Sequence, residues 1–232
     1  MAQLVLVRHG QATPFENITD RLSPLGEAQS RKLAEYWIRN GVQFDAVYTG
    51  PLVRQRRTAG LASAGGGLAA EVVPELAEYD AESILRRLGP QLAARDAGFR
   101  QLVEESASGG GSDRNRRYQK MFETLMQFWI AGELDSPEVE SWSDFRQRVE
   151  RGLRRLMLGS GSGRRVAAFT SGGPIGVAVQ MAVGAPARSA LELSWRVRNC
   201  SLTGFLFSGD RLSLDTFNAT PHLDDPALLT YR

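Results

Sequence analysis

The stretch Val5-Leu6-Val7-Arg8-His9-Gly10-Gln11 joins a short apolar run to a turn that carries an arginine and a histidine. The apolar residues 4–7 are typical of a buried strand in a mostly parallel sheet. His9 is one of two histidines in the chain and stands where this strand would open into a loop. An imidazole there can act as a nucleophile, and the Arg8 guanidinium can hold the anion that it attacks. The alternative is that His9 is a buried structural histidine.

The sequence on either side of this stretch predicts strands that alternate with helices. Ser23-Pro24 predicts a helix start, with serine as the N-cap and proline in the first turn, and Asn40-Gly41 predicts its end. Further helices are predicted over 52–61 and 174–183, and further strands over 44–48, 71–73, 166–170, 203–207 and 212–217. This alternation predicts an α/β fold, a three-layer sandwich with a mostly parallel central sheet flanked by helices.

Between about 81 and 158 the pattern changes to polar, interrupted helices. We expect this region to be a helical insertion over the active-site end of the sheet, within a single domain of residues 1–232. The glycine-rich residues 106–113 predict a flexible loop. Apolar residues at helical spacing over 118–130 predict packing rather than a cofactor site.

Composition limits the class of protein and its partners. The 232 residues carry a formal net charge of +2, which is too close to neutral to imply a nucleic-acid partner. Cys200 is the single cysteine and is expected to be a small buried thiol. We see no signal peptide, no apolar run of membrane-spanning length and no metal-ligand spacing. We therefore expect a cytoplasmic protein with no cofactor, no metal and no membrane partner, and an α/β enzyme of this size is often a homodimer.

Three predicted strands end in residues that suit a phosphate group. Because the carboxyl ends of parallel strands meet helix amino ends at one edge of a sheet, residues 8–10, 49–54 and 170–174 should converge. Arg8 and Arg54 supply positive charge and paired donors. Ser171 and Gly172 stand at a helix start, where free backbone N–H groups favour an anion. The alternative for Arg54 is an exposed helix residue, which is what we expect of Arg56 and Arg57.

The chain resembles the histidine phosphatase superfamily, the phosphoglycerate mutase-like group. The family opens with Arg-His-Gly after a strand, as in Arg8-His9-Gly10. Its second signature, Ser-Pro-Leu-x-Arg-x-x-x-Thr-Ala, is similar to the stretch Gly50-Pro51-Leu52-Val53-Arg54-Gln55-Arg56-Arg57-Thr58-Ala59. A Leu-x-Glu segment that bears the family's proton donor matches Leu76-Ala77-Glu78, and Leu22-Ser23-Pro24-Leu25-Gly26-Glu27 resembles the start of the family's first helix. With two signatures about 40 residues apart, the resemblance is specific.

The resemblance implies a covalent, two-step reaction that needs no metal. His9 would attack phosphorus in line while Arg8 and Arg54 neutralise the equatorial oxygens. Glu78, kept protonated by a sheltered setting, would give its proton to the leaving alkoxide. The same carboxylate would then act as the base when water hydrolyses the phosphohistidine.

Some of these assignments leave neighbouring residues as alternatives. Glu75 and Asp80 lie close to Glu78 in sequence and could take its role. Gln11 could line the pocket, where the family often has glutamate or glutamine, or be a polar loop residue. Asn17 could contact phosphate, although the loop length does not fix its position.

One catalytic residue of the family is replaced in this chain. The family carries a second catalytic histidine before two glycines, and here Ser171 takes that place before Gly172 and Gly173. A serine hydroxyl can donate a hydrogen bond to a phosphoryl oxygen but carries no charge, which predicts a loss of about tenfold in the chemical step. His222 could fold back and substitute, or have a structural role.

The sequence therefore predicts a metal-independent phosphomonoester hydrolase, a phosphatase of reduced activity that acts on a small phosphorylated metabolite. The alternatives are mutase-type phosphoryl transfer and a weakly active or non-catalytic protein that binds a phospho-ligand. The substrate is not identified by the sequence. Arginines of the insertion could reach a second anionic group or form a solvated basic surface; they are Arg86, Arg87, Arg114, Arg116 and Arg117.

Overall fold

The structure of the protein is a computed structural model that describes residues 1–13, 20–64, 67–108, 111–158 and 163–231. The strands are β1 (Ala2–Arg8), β2 (Ala46–Thr49), β3 (Glu71–Val72), β4 (Arg165–Thr170), β5 (Leu202–Ser208) and β6 (Arg211–Ala219). The α-helices are α1 (Pro24–Arg39), α2 (Val53–Ala62), α3 (Ala81–Arg95), α4 (Ala97–Ser108), α5 (Gly111–Ile130), α6 (Trp142–Met157), α7 (Gly172–Val183) and α8 (Ala187–Ser194). Single 3₁₀ turns span Pro74–Leu76 and Pro226–Leu228.

The six strands form one sheet in the order β3-β2-β4-β1-β5-β6. The four strands β3, β2, β4 and β1 run parallel, whereas β5 and β6 continue the sheet as antiparallel strands. The α/β prediction with a mostly parallel central sheet is confirmed. In the register of β1 and β4, Arg8 stands opposite Thr170, so both strands end at the same edge of the sheet.

Successive side chains of β1 point to opposite faces of the sheet, and residues on both faces are buried. Val7 packs with Leu33 and Trp37 of α1 and with Phe169 of β4. Leu4 and Leu6 point to the opposite face and are fully buried, on the side where α7 packs against β1 and β6. Burial on both faces explains why the strand is a continuous apolar run.

Helix α1 begins and ends where the sequence predicts. Ser23 is the N-cap, and its hydroxyl accepts a hydrogen bond of 3.0 Å from the Gly26 N–H. Pro24 occupies the first turn, where its missing N–H costs no helix bond. Asn40 is the C-cap, and Gly41 follows with φ of +60°, a conformation that favours glycine.

One prediction about the elements is wrong, and one helix has no counterpart among the predictions. The predicted loop over residues 106–113 is helical wherever the structure describes it. Helix α4 continues to Ser108 and α5 begins at Gly111, while residues 109–110 lie outside the described residues. Helices α4 and α5 pack along each other, and burial of Phe99, Leu125 and Met126 outweighs the low helix propensity of glycine. Helix α8 was not predicted, since its eight residues are too few for a clear period.

The described residues divide into two compact units. The first comprises Met1–Glu78 and Arg148–Arg232 and contains the whole sheet, and the second comprises Tyr79–Gln147. Within the second unit the predicted apolar stripe is a core: Trp129 packs against Tyr79 and Trp142 at ring-centroid distances of 5.4 Å in each case. Among the described ranges, no helix is long and apolar enough to cross a membrane.

Ser23→Ala tests the start of α1. Loss of the capping hydroxyl leaves the Gly26 N–H without its partner, which should lower the free energy of unfolding by about 1 kcal/mol. Urea denaturation measures the change, with Ser23→Thr as the control that keeps a capping hydroxyl. An unchanged midpoint in Ser23→Ala would contradict the assignment of this N-cap.

Candidate active site

The three strand ends meet through direct hydrogen bonds. His9, after β1, donates its backbone N–H to the Thr170 carbonyl of β4 at 2.9 Å. Arg54 of α2, the helix after β2, donates from Nε to Nε2 of His9 at 3.1 Å. The structure therefore brings the predicted histidine and arginine together at the carboxyl edge of the sheet, in the first compact unit.

The His9 main chain is fixed from several sides. Its carbonyl accepts from the Asn199 side-chain amide at 3.2 Å and from the Cys200 N–H at 3.2 Å. The next N–H, of Gly10, donates to Thr58 Oγ1 at 3.0 Å. Gly10 is required here because a Cβ would lie 2.4 Å from the Gly26 carbonyl oxygen of α1. The glycine of the Arg-His-Gly turn thus lets the loop approach α1 closely.

Two bonds of opposite kind fix the proton on the His9 ring. Nδ1 lies 2.7 Å from the Gly10 carbonyl oxygen, which can only accept, so Nδ1 carries the hydrogen. Nε2 faces Arg54 Nε, which can only donate, so Nε2 offers its lone pair. Burial, followed by the positive charges of Arg54 and Arg8, holds the pKa of His9 well below its usual range. At neutral pH the ring is therefore a neutral imidazole with a nucleophilic Nε2.

The two predicted arginines are held by different partners. Arg8 is half-buried and donates from Nη1 to the Val197 carbonyl. Arg54 forms an ion pair through Nη1 with Asp20 Oδ1 at 2.7 Å. The Asp20 carboxylate also accepts from the Val53 N–H at 2.8 Å, so it caps the start of α2. Asp20 therefore sets the direction of the Arg54 guanidinium.

Thr58, the threonine of the second signature, connects α2 to the loop that carries His9. Thr58 Oγ1 accepts from the Gly10 N–H and donates to the Arg54 carbonyl at 2.8 Å. Arg56 and Arg57 are exposed, and Arg57 pairs with Glu27 at 2.8 Å, as expected of arginines on the solvent side of the helix.

Glu78 lies at the start of α7. Its Oε2 accepts a hydrogen bond of 3.0 Å from the Gly173 N–H. The neighbouring Leu76 is fully buried, and its carbonyl accepts from Thr170 Oγ1 at 2.8 Å, which anchors the segment before Glu78 to the end of β4. Asp80 instead caps α3 of the second unit through the Ser83 N–H at 3.0 Å. The structure therefore brings Glu78 to the edge of the sheet that carries His9.

Ser171 has no exposed surface. Its hydroxyl oxygen accepts a hydrogen bond of 2.8 Å from Nε2 of Gln55, a fully buried side chain of α2. Gly172, also buried, is the first residue of α7. The place where the sequence suggests a missing histidine is thus filled by a serine and a glutamine that are bonded to each other.

The remaining predicted residues have separate surroundings. Gln11 accepts at Oε1 from the Ser23 hydroxyl at 2.8 Å, next to the start of α1. Asn17 lies outside the described residues. His222 is buried and packs against the Tyr36 ring of α1 at a centroid distance of 6.1 Å. Burial lowers the pKa of His222 to about 4.

Other candidate groups also have defined surroundings. Cys200 is buried as predicted, and burial raises the pKa of its thiol to about 12. Arg86 pairs with Glu82 at 3.7 Å, and Arg87 pairs with Glu138. Across the described residues, no group of three or more His, Cys, Asp or Glu could hold a metal ion.

Comparison with known families identifies the superfamily of the chain. The family model for the histidine phosphatase superfamily (branch 1) matches residues 4–109 and 104–220. The chain belongs to this superfamily. No match was found among curated proteins.

Solved structures share the fold of this histidine phosphatase superfamily member. A mutant phosphoserine phosphatase from Entamoeba histolytica, in complex with phosphoserine, is 18% identical with a TM-score of 0.65 and covers 96% of this chain and 100% of its own. A putative alpha-ribazole-5'-P phosphatase from Escherichia coli is 21% identical with a TM-score of 0.65, covering 94% and 97%. A mycobacterial glucosyl-3-phosphoglycerate phosphatase in complex with inorganic phosphate is 22% identical with a TM-score of 0.61, covering 95% and 98%. At these identities the likeness shows the fold alone.

Sequence reasoning missed two residues that organise the site of this superfamily member. Asp20 contacts Arg54 across 34 positions of sequence, and Gln55 contacts Ser171 across 116. Neither residue stands in a motif position quoted for the family. The replacement of serine by Gly50 is a signal that could have drawn attention to Gln55, because a Cβ at Gly50 would lie 2.2 Å from Gln55 Oε1.

The pKa of His9 can be measured directly, since the chain has two histidines and His222→Phe assigns the second signal. We expect NMR titration to place the His9 midpoint below the ordinary value of about 6.5. Arg54→Gln should raise this midpoint, because it removes a positive charge beside the ring. Arg57→Gln, which changes an exposed arginine paired with Glu27, should leave it unchanged. A midpoint that is equal in the native chain and in Arg54→Gln would contradict the geometry.

The buried histidines also predict how stability depends on pH. In the unfolded chain each histidine binds a proton below about pH 6.5, whereas His222 in the folded chain stays neutral down to about pH 4. Stability is therefore complete above pH 6.5 and is lost as the pH falls, by at most about 1.4 kcal/mol per pH unit for each histidine.

Urea denaturation between pH 7 and pH 4 tests this expectation, with His222→Phe as the comparison. The variant keeps a ring against Tyr36 but has no proton to bind, so its free energy of unfolding should fall less steeply. Parallel curves for the native chain and His222→Phe would show that His222 is not held neutral by the fold.

Proposed function

We propose that the protein is a metal-independent phosphomonoester hydrolase that acts through a phosphohistidine at His9. One observation carries the proposal: Nδ1–H of His9 donates to the Gly10 carbonyl, and Nε2 faces Arg54 as a free base. The ring is thus the neutral tautomer that a phosphoryl acceptor requires.

The first step transfers the phosphoryl group from the substrate to the protein. Nε2 of His9 forms a bond to phosphorus while the bond to the leaving alcohol oxygen breaks on the opposite side. The Arg54 Nε–H that faces Nε2 turns to a phosphoryl oxygen, and Arg8 contributes the second positive charge beside the ring. Two fixed guanidinium groups stabilise the charge that spreads over the equatorial oxygens in the transition state. These cations supply the role that a metal ion has in other phosphatases.

Glu78 serves as the acid and then as the base. It gives a proton to the leaving alkoxide, and its carboxylate then takes a proton from the water that attacks the phosphohistidine. This second step breaks the bond between Nε2 and phosphorus and releases inorganic phosphate. The place of Glu78 at the Gly173 N–H, rather than that of Asp80 at α3, supports its assignment.

The uncharged side chains of Ser171 and Gln55, in the place where the family has a histidine, favour slow turnover. A histidine in that place would add a charge-assisted hydrogen bond, which is worth about 1.5–3 kcal/mol against roughly 1 kcal/mol for a neutral one. Since Ser171 is buried and bonded to Gln55, the site depends on Arg8 and Arg54 for its positive charge. The same observation favours a second function, a protein that binds a phospho-ligand with little turnover.

Small phosphorylated metabolites are the substrate class that we propose. The solved structures of similar fold include phosphatases for phosphoserine, alpha-ribazole phosphate and glucosyl-phosphoglycerate, which are all small phosphate esters. Mutase-type phosphoryl transfer is the alternative reaction, and it would require a phosphohistidine that persists until the phosphoryl group returns to a substrate.

Hydrolysis of p-nitrophenyl phosphate in the presence of a chelator tests the proposal. We expect turnover by the native chain, none by His9→Asn, and a loss of about a hundredfold or more in Arg54→Ala because a fixed cation at the transition state is removed. Arg57→Ala is the matched control, since Arg57 lies on the same helix but is exposed. Circular dichroism of each variant checks that it is folded.

Trapping of the intermediate separates the possible functions. An acid-labile phosphoryl group on the native chain that is absent from His9→Asn would support the hydrolase. Protection against heating by inorganic phosphate, with neither labelling nor turnover, would instead identify a phospho-ligand binder. Turnover that His9→Asn retains, or that the chelator removes, would overturn the mechanism.

A further inference from the structure

Gln55 is a buried amide with all of its polar atoms bonded. Its Oε1 accepts from the Leu52 N–H at 3.1 Å, as the third residue of a helix does in a capping box. Its Nε2 donates to the Leu76 carbonyl at 3.2 Å and to Ser171 Oγ at 2.8 Å. Because a backbone N–H can only donate and a carbonyl can only accept, these partners fix the orientation of the amide. One hydrogen of Nε2 is therefore committed to Ser171.

Gly50 makes the room that this side chain needs. A Cβ at position 50 would lie 2.2 Å from Gln55 Oε1 and 2.8 Å from the Leu76 carbonyl oxygen. Two positions depart from the family signatures, glycine at 50 and serine at 171, and both are next to the Gln55 amide. Gly50 leaves space for Oε1, and Ser171 accepts from Nε2. They form one structural unit, which we call the Gln55–Ser171 pair.

The pair decides which group caps α7. Ser171 is the N-cap by position, and a serine there ordinarily accepts a hydrogen bond from the second or third N–H of the helix. The third residue is Pro174, which has no N–H, so the side chain could cap only at Gly173. Ser171 makes no such bond to α7, every residue of which the structure describes. The Gly173 N–H is bound instead by Glu78.

We propose that Gln55 is a positioning residue for Glu78. By holding the Ser171 hydroxyl away from the helix start, Gln55 reserves the Gly173 N–H for the Glu78 carboxylate. Without Gln55, Ser171 rotates to its ordinary capping position and displaces Glu78 from Gly173. The catalytic consequence rests on the proposed function, in which Glu78 is the acid and base.

NMR titration of the Glu78 carboxyl group tests the positioning without any need for turnover. Gln55→Met keeps the size of the side chain but removes the donor to Ser171. We expect the Glu78 titration midpoint to move upward, because the charged form loses a backbone N–H. Gln55→Leu is the second variant should Gln55→Met fail to fold.

Two further variants distinguish a positioning role of Gln55 from a general loss of stability. In a chain that carries Ser171→Ala, Gln55→Met should leave the Glu78 midpoint in place, because the competing hydroxyl is gone. Gln29→Met changes another fully buried glutamine with three bonds, to Gln11, Leu228 and Thr230, and should destabilise the chain without moving Glu78. A Glu78 midpoint that Gln55→Met does not move, or moves equally with and without Ser171, would overturn the proposal.

Hydrolysis of two esters provides the catalytic readout. Nitrophenolate leaves without a proton, whereas the alkoxide of ethyl phosphate needs one from Glu78. In Gln55→Met the ratio of kcat/KM for ethyl phosphate to that for p-nitrophenyl phosphate should fall by at least about tenfold, and Gln29→Met should keep the native ratio. An unchanged ratio in Gln55→Met would overturn the catalytic part. A native chain that hydrolyses neither ester, while Gln55→Met still moves the Glu78 midpoint, would refute the proposed function and support the positioning.

Discussion

The parallel pairing of β1 with β4 is the constraint on which the rest of the site depends. It sets Arg8 opposite Thr170, so that the loop that carries His9 and the start of α7 leave the sheet at the same edge. The pairing of β2 with β4 sets Thr49 opposite Phe169 and adds α2 at that edge. Residues separated by more than 160 positions thereby face one another, and this register brings the segments that carry His9, Arg54 and Glu78 to one edge of the sheet.

Burial then decides the protonation state of the His9 ring. An exposed histidine would carry a proton for much of the range around neutral pH, and a protonated ring has no lone pair to attack phosphorus. His9 is buried beside two arginines, and both effects disfavour the imidazolium. The two arginines that we propose to hold the phosphate therefore also favour the neutral form of the His9 ring.

Both helix starts at the site are capped by carboxylates from other segments. Asp20 binds the first N–H of α2 and the Arg54 guanidinium, while Glu78 binds the Gly173 N–H of α7. The partial positive charge of a helix start stabilises each carboxylate where it stands. Asp20 orients the Arg54 guanidinium, and Glu78 is the carboxylate that we propose as the acid and base. The Gln55–Ser171 pair belongs to the same arrangement.

The sequence by itself determined the α/β fold, the cap of α1 at Ser23, and His9, Arg8 and Arg54 as residues of one edge, because these depend on local period, capping chemistry and the direction of parallel strands. Only the tertiary structure decided that Glu78 rather than Asp80 reaches the start of α7, that Asp20 orients Arg54, and that Gln55 holds Ser171. It also decided that residues 106–108 end α4 and that residues 111–113 begin α5, within a stretch whose composition predicts a loop. These outcomes depend on contacts between residues distant in sequence, on the space that a glycine leaves and on burial. None of these produces a recognisable pattern among neighbouring residues of the sequence.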